Sequence, residues 1–278
     1  MVRERVAENV YLFTSDRYAS VNAGAVIGPD WSIVIDTLAL PEESRQIHDF
    51  IYKRLESRVR YVINTHYHAD HSFGNCWFPE ATVIGHAELR RLLDTRGREG
   101  LAQAKSRNRD FRNVEIVLPE IVFSENEIGL QIGKRILRLF SLPGHSLDGI
   151  GVLIEGDRVL FSGDIMMPIP FVVDGDFDTM VANMKRLTNM KLESLVQGHG
   201  DVILRGEIPL AVKENINYLN AVRRSVRQAG RRKDPVAYME KVSVEDCGKS
   251  RILLNGLAEE LHGRNLMALY QYWYGEPS

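Results

Sequence analysis

Between Thr65 and Asn75 the chain reads THYHADHSFGN, which puts His66, His68, Asp70 and His71 within six positions. Neutral imidazole is the commonest protein ligand for metals, and loop histidines at a strand end need no buried partner, so metal ligation is the use they share. The preceding YVIN, residues 61–64, is apolar and β-branched and predicts a buried strand that ends at this loop. If extended backbone continues through His66 and His68, the two-residue period points both imidazoles to one side. Ala69 is small enough to let the chain turn, after which Asp70 and His71 face a second position. One loop therefore begins two neighbouring cation sites.

Three later places repeat the pattern of a potential ligand just beyond an apolar strand, with glycine beside it. They are LPGHS with His145, LFSGD with Asp164 and VQGHG with His199. Glycine allows a sharp turn and close backbone approach, which suits loops converging on a metal from strand ends. Together with the first loop, these places account for five of the eight histidines.

The rest of the chain sets the frame. Its 278 residues suffice for one large core, or for a main domain with an appendage. A 44% hydrophobic and 26% charged composition is that of a soluble globular protein, and a net charge of -2 gives no general attraction to nucleic acid. Cys76 and Cys247 form neither a disulfide framework nor a thiolate cluster, and Cys76 reads as a small buried residue. The start lacks a secretory apolar segment and no run approaches about 18 apolar residues, so the expected location is the cytoplasm, with no membrane partner.

Residues 9–38 read as strands ending in Asp36. A helix is predicted through 40–58, with His48 on its solvated face. A strand at 81–84 leads to a helix, and His86 at their junction is expected to hydrogen-bond locally. The basic run at 90–112 reads as a solvated helix or lid, and RRSVRQAGRRKD at 223–234 as a solvated helix end. Short strands return from Ile121, followed by a helix over 176–192. The expected organisation is a main domain over 1–210 and a helical extension over 211–278 packed on it.

The ordered series Asp36, THYHADH, PGHS, SGD and GHG resembles the five motifs of the metallo-β-lactamase superfamily, over about residues 9 to 205. The resemblance implies an α+β fold, a four-layer αββα sandwich, with a dinuclear site at one edge of its sheets. It implies that His66, His68 and His145 hold one metal, that Asp70, His71 and His199 hold the other, and that Asp164 bridges them. Asp36 would order the histidine loop through hydrogen bonds. The cofactors expected are two Zn2+, with iron or manganese as alternatives.

The expected activity is that of a zinc-dependent hydrolase, using a metal-bridging hydroxide oriented by Asp70, on a small ester, lactone or thioester. The alternatives are phosphodiesterase or phosphotriesterase activity at the same site, or a mononuclear iron oxidoreductase resembling the persulfide dioxygenase branch. Asp70, His71 and His199 together resemble the glyoxalase II and lactonase branches. Asp164 stands where familiar β-lactamases carry cysteine, which disfavours penicillin hydrolysis, and Gln197 departs from the glyoxalase II pattern. A small-molecule substrate is the expected partner, and the sequence leaves the oligomeric state open. The loop MMPIPF, 166–171, is expected to wall the pocket, with Tyr67 as a further wall candidate. His262 and Tyr270 are expected to pack between helices.

Overall fold

The computed structural model describes residues 1–125 and 127–276. Seven strands form the first sheet in chain order: β1 (Val2–Ala7), β2 (Val10–Thr14), β3 (Asn22–Ile27), β4 (Ser32–Ile35), β5 (Val59–Ile63), β6 (Thr82–His86) and β7 (Ile121–Phe123). Pairing is antiparallel from β1 to β4 and parallel from β4 to β7. The parallel part is joined by α1 (Pro41–Asp49), the short α2 (Ala69–Ser72), α3 (Ala87–Leu92) and α4 (Arg98–Arg107). The second sheet holds β8 (Ile128–Ile132), β9 (Arg135–Ser141), β10 (Ile150–Ile154), β11 (Val159–Phe161), β12 (Ser194–Val196) and β13 (Ile203–Leu204), with β11 and β12 parallel. Four more helices follow in the chain: α5 (Phe177–Thr188), α6 (Ile208–Ala229), α7 (Pro235–Met239) and α8 (Ala258–Tyr274).

Alternation along the strands builds the layers. In β4, Ile33 and Ile35 point into the core between the sheets, where they join Ile63 and Ile84 and meet Leu137, Leu139 and Val152 of the second sheet. Val34, Val62 and Val83 point the other way and pack with Ile47 and Ile51 beside α1. On the far face of the second sheet, Phe140, Leu160 and Leu195 pack against Met180 and Met184 of α5 and against α6 and α8. Helix, sheet, sheet, helix is therefore the layer order, as the αββα expectation has it, with a C-terminal helix in the outer layer.

Two local readings differ. Strand β1 carries no apolar run, because it lies at the sheet edge with four exposed residues and is held by pairing with β2 alone. Extended backbone stops at Ile63 rather than running through His68, so a loop and the turn of α2, not strand periodicity, bring the histidines together.

Leu210 lies in the first turn of α6, and Tyr218, Leu219, Val222 and Val226 of that helix are fully buried against the second sheet's outer layer. Removing α6 to α8 would expose Phe140, Leu160, Leu195 and the α5 methionines to water, at about 1.5–3 kcal/mol for each large side chain. A chain ending at Glu207 is therefore expected to be insoluble. A soluble fragment with a cooperative melt would contradict this.

Candidate metal centre

The two sheets meet at the edge where their C-terminal strand ends converge. Asp36 follows β4, the histidine loop follows β5, His145 follows β9, Asp164 follows β11 and His199 follows β12. The backbone ties the two halves together there: Asn22 N–H donates to Gly198 O at 2.8 Å, and Ile150 N–H to Thr65 O at 2.9 Å. Gly198 is needed for this closure, because a Cβ at that position would lie 1.7 Å from Asp164 Oδ1.

The seven side chains named from the sequence meet in two groups. His66, His68, His145 and Asp164 offer ligand atoms within 4.8 Å of one another, and Asp70, His71 and His199 do the same beside them. Asp164 lies between the groups. Its Oδ2 is 3.7 Å from His66 Nε2 and 3.4 Å from both His145 Nε2 and His199 Nε2, while Oδ1 is 3.2 Å from His71 Nε2. Asp70 Oδ2 is 3.4 Å from His199 Nε2.

Each imidazole is committed on its outer side. His71 Nδ1–H donates to Asp36 Oδ2 at 2.8 Å, His145 Nδ1–H to Phe171 O at 2.6 Å, and His199 Nδ1–H to Ala19 O at 2.9 Å. His68 Nε2–H donates to Asp174 Oδ2 at 3.0 Å, and His66 Nδ1–H to Thr65 Oγ1 at 3.1 Å. In the neutral tautomers these partners select, every inward nitrogen carries a lone pair. Those of His66 and His145 lie 3.1 and 2.9 Å from His68 Nδ1. Three lone pairs at such separations repel one another unless a positive charge sits among them. Buried His71 Nε2 and Asp164 Oδ1 also have no hydrogen-bond partner, so the donor set fits metal ions.

The electrostatics agree. Burial, then the charge of the neighbouring imidazoles, holds His66 well below the ordinary histidine range, and burial brings His145 down to about 4, so both are neutral at pH 7, the form that can ligate a metal. Burial works against protonation of His71 and His199 too, but the Asp164 carboxylate, helped at His71 by Asp36, raises both. Protons and cations therefore compete for the second group.

Three supports behind the ligands have different origins. Asp36, in left-handed backbone at φ 57°, accepts from Thr65 N–H and Oγ1–H, each at 2.7 Å, as well as from His71. Asp174, absent from the sequence reading, takes hydrogen bonds from His68, from Tyr67 Oη–H at 2.7 Å and from Arg96 at 3.0 Å. Tyr67 thus braces Asp174, and it does not line the pocket. Fully buried Asn265 of α8 accepts from Val172 N–H at 2.9 Å and donates to Pro170 O at 2.7 Å, which fixes the loop whose Phe171 carbonyl orients His145. No local pattern marks Asp174 or Asn265, since their partners are 47 to 107 residues away.

The other three histidines, His48, His86 and His262, lie outside the centre. His86 caps α3, accepting from Glu88 N–H, and His262 bonds Tyr218 and Val242 O between helices.

A pocket of about 260 Å³ opens on the centre, lined on one side by Met167 and Phe171 of the 166–171 loop. Larger surface depressions, such as the one beside Arg3 and Arg45, hold none of the clustered ligands. Tyr18 stands at the mouth, half exposed, and the Asp70 carboxylate, then burial, pushes its hydroxyl up to about 12, so it is a donor at neutral pH. Among the described residues no helix is long and apolar enough to cross a membrane.

The model of the metallo-beta-lactamase superfamily matches residues 17–226. The acyl-coenzyme A thioesterase MBLAC2 of Bos taurus is 30% identical over 164 residues, 52% of this chain and 58% of that protein. A hydroxyacylglutathione hydrolase of Methylococcus capsulatus is 26% identical over 144 residues, 50% of this chain and 47% of that protein. The chain spans about half the length of the curated relatives it matches. The solved sec-alkylsulfatase Pisa1 of a Pseudomonas species superposes with a TM-score of 0.75 at 14% identity, over 98% of this chain and 50% of that one. At that identity the likeness is one of fold.

Replacing Asn265 by Leu should leave a folded protein that binds metal about 10–100-fold more weakly, because the His145 partner loses its brace. Chelator competition measures this, and unchanged affinity would separate α8 from the centre. Asp148, fully buried near the histidine loop with neither oxygen hydrogen-bonded, is pushed up by burial to about 6 from its ordinary 3.8. A raised acid contributes stability that is present below pH 3.8 and lost as pH climbs through about 6, roughly 3 kcal/mol in all. In chelator, the melting temperature of Asp148→Asn should therefore exceed the parent's by a margin that widens from pH 4.5 to 7. A constant margin would mean that the carboxyl ionises normally.

Proposed function

The chain belongs to the metallo-beta-lactamase superfamily, and from that membership we propose that it is a two-metal hydrolase, zinc-loaded, acting on a small carboxylic ester, lactone or thioester. The observation that carries this reading is Asp164, within 3.2 to 3.7 Å of imidazole nitrogens from both donor groups. In this reading His66, His68 and His145 hold one ion, Asp70, His71 and His199 the other, and Asp164 touches both. Residues 1–210 form the catalytic body, and 211–278 the helical extension.

Such a pair of divalent ions brings a water that ionises near neutrality and Lewis-acid stabilisation of developing oxyanion charge. The chain supplies the remainder. Asp70 opens on the pocket with its side chain 15% exposed, where it would orient the attacking water while helping to hold the second ion. Tyr18 keeps its own proton at pH 7 and offers a hydrogen bond at the mouth. Met167 and Phe171 exclude water from one side, which strengthens every charge interaction inside. Relatives named as an acyl-coenzyme A thioesterase and a hydroxyacylglutathione hydrolase support carboxylic substrates over phosphoesters.

The test is a panel of acyl esters, lactones, thioesters, phosphodiesters and phosphotriesters, presented to protein whose metals have been counted. Two metals per chain and oxygen-independent cleavage of carboxylic substrates are expected, and Asp164→Ala should lose most bound metal and at least about 100-fold in rate. One iron per chain with oxygen consumption would replace this reading by an oxidative one.

A further inference from the structure

One wall of the pocket comes from the far end of the chain. Leu254, Leu257, Leu261 and Arg264 all line it: the four- and three-residue spacing of the last three sets them on one face at the start of α8, and the turn leading into the helix carries Leu254. The three leucines pack with Met167 and Phe171, so the two sides form one continuous apolar surface over the metal centre. Leu254 holds its place in left-handed backbone, φ 53°, as does Asn255 at φ 57°. Non-glycine residues pay for that conformation, and it persists where the surroundings over-determine it.

Arg264 is the one Arg or Lys lining this pocket among the described residues. Its guanidinium carbon stands 4.8 Å from the Phe171 ring centroid, a stacked position that limits its freedom. Its nearest acid is Glu260 at 4.0 Å, with both side chains more than half exposed, a separation and exposure at which pairing is weak. The pocket's carboxylates do not compete for it. Asp174 is taken by His68, Tyr67 and Arg96, while Asp70 and Asp164 face the clustered imidazoles. An apolar wall with a stacked, available guanidinium is complementary to a molecule with a short hydrocarbon part and one anionic group.

We propose that this pocket takes amphiphilic acyl esters or thioesters, with the hydrocarbon against Leu254, Leu257 and Leu261 and a carboxylate or phosphate on Arg264. The proposal rests on the hydrolase reading above and deepens it: the helical extension selects the substrate. The anion belongs either to the acyl part or to the leaving group, and about 260 Å³ restricts the enclosed portion to a small one.

Binding is measured first, by calorimetry of hexanesulfonate and of hexanol to zinc-loaded protein. Arg264→Leu should weaken hexanesulfonate at least about tenfold, Arg264→Lys should restore part of the loss, and Leu257→Asp should weaken both probes. Two thioesters then locate the anion: a mono-thioester of a short dicarboxylic acid, and a short neutral acyl thioester of an anionic thiol. The one whose kcat/KM falls in Arg264→Leu carries the group that Arg264 holds. If hexanesulfonate binding depends on Arg264 while no ester is cleaved, the pocket assignment stands and the hydrolase reading fails. If esters are cleaved but parent and Arg264→Leu bind hexanesulfonate equally, the hydrolase reading stands and this proposal is overturned.

Discussion

Imidazole nitrogens crowded around one small volume repel one another, and most of the architecture near the sheet edge can be understood as what holds them there. His66, His68 and His145 bring lone pairs to within about 3 Å. Each ring is pinned from behind by an oxygen that dictates which nitrogen keeps its proton, so the rings cannot relieve the repulsion by turning. A cation converts that repulsion into ligation. Metal binding and local order are thereby linked, since the free energy of binding adds to the stability of the arrangement that binds.

The pinning oxygens come from four different parts of the chain, at residues 19, 36, 65 and 171–174, which explains the size of the fold around a small centre. Asp36 ends a strand of the first sheet and unites Thr65 and His71. Ala19 lies just ahead of β3 and holds His199, one of three candidate ligands at strand ends of the second sheet, so that the sheets are registered to each other at the centre itself. Phe171 holds His145 and is in turn fixed by Asn265, which makes the last long helix part of the support of the first donor group. The C-terminal helices thus bury the outer face of the second sheet, brace a ligand and line the pocket with the same helix.

The strands and the meeting of the seven candidate donors were largely legible in the sequence because their signals are local. Strands such as WSIVIDT and RVLFSGD announce themselves by apolar runs that end in a chemically distinctive residue. Histidines beside glycine at several strand ends are too specific a pattern to have a common structural cause other than convergence. Strand β1 was missed because an edge strand with one partner needs no apolar face. The extended path assumed through His66 and His68 was wrong in its geometry: α2 turns the chain there, although the same side chains still meet.

By itself the sequence determined the strands and which seven side chains can be donors, because periodicity and residue chemistry are properties of short stretches, and the ordered motifs carried the layer order through their resemblance to a known family. Only the tertiary structure decided what stands behind and in front of them: Asp174 and Asn265 as braces, Tyr18 at the mouth, and Leu254, Leu257, Leu261 and Arg264 as the opposite wall. Those roles depend on contacts between segments far apart along the chain. A leucine at helical spacing looks the same whether it faces a core or a pocket, and packing alone settles which.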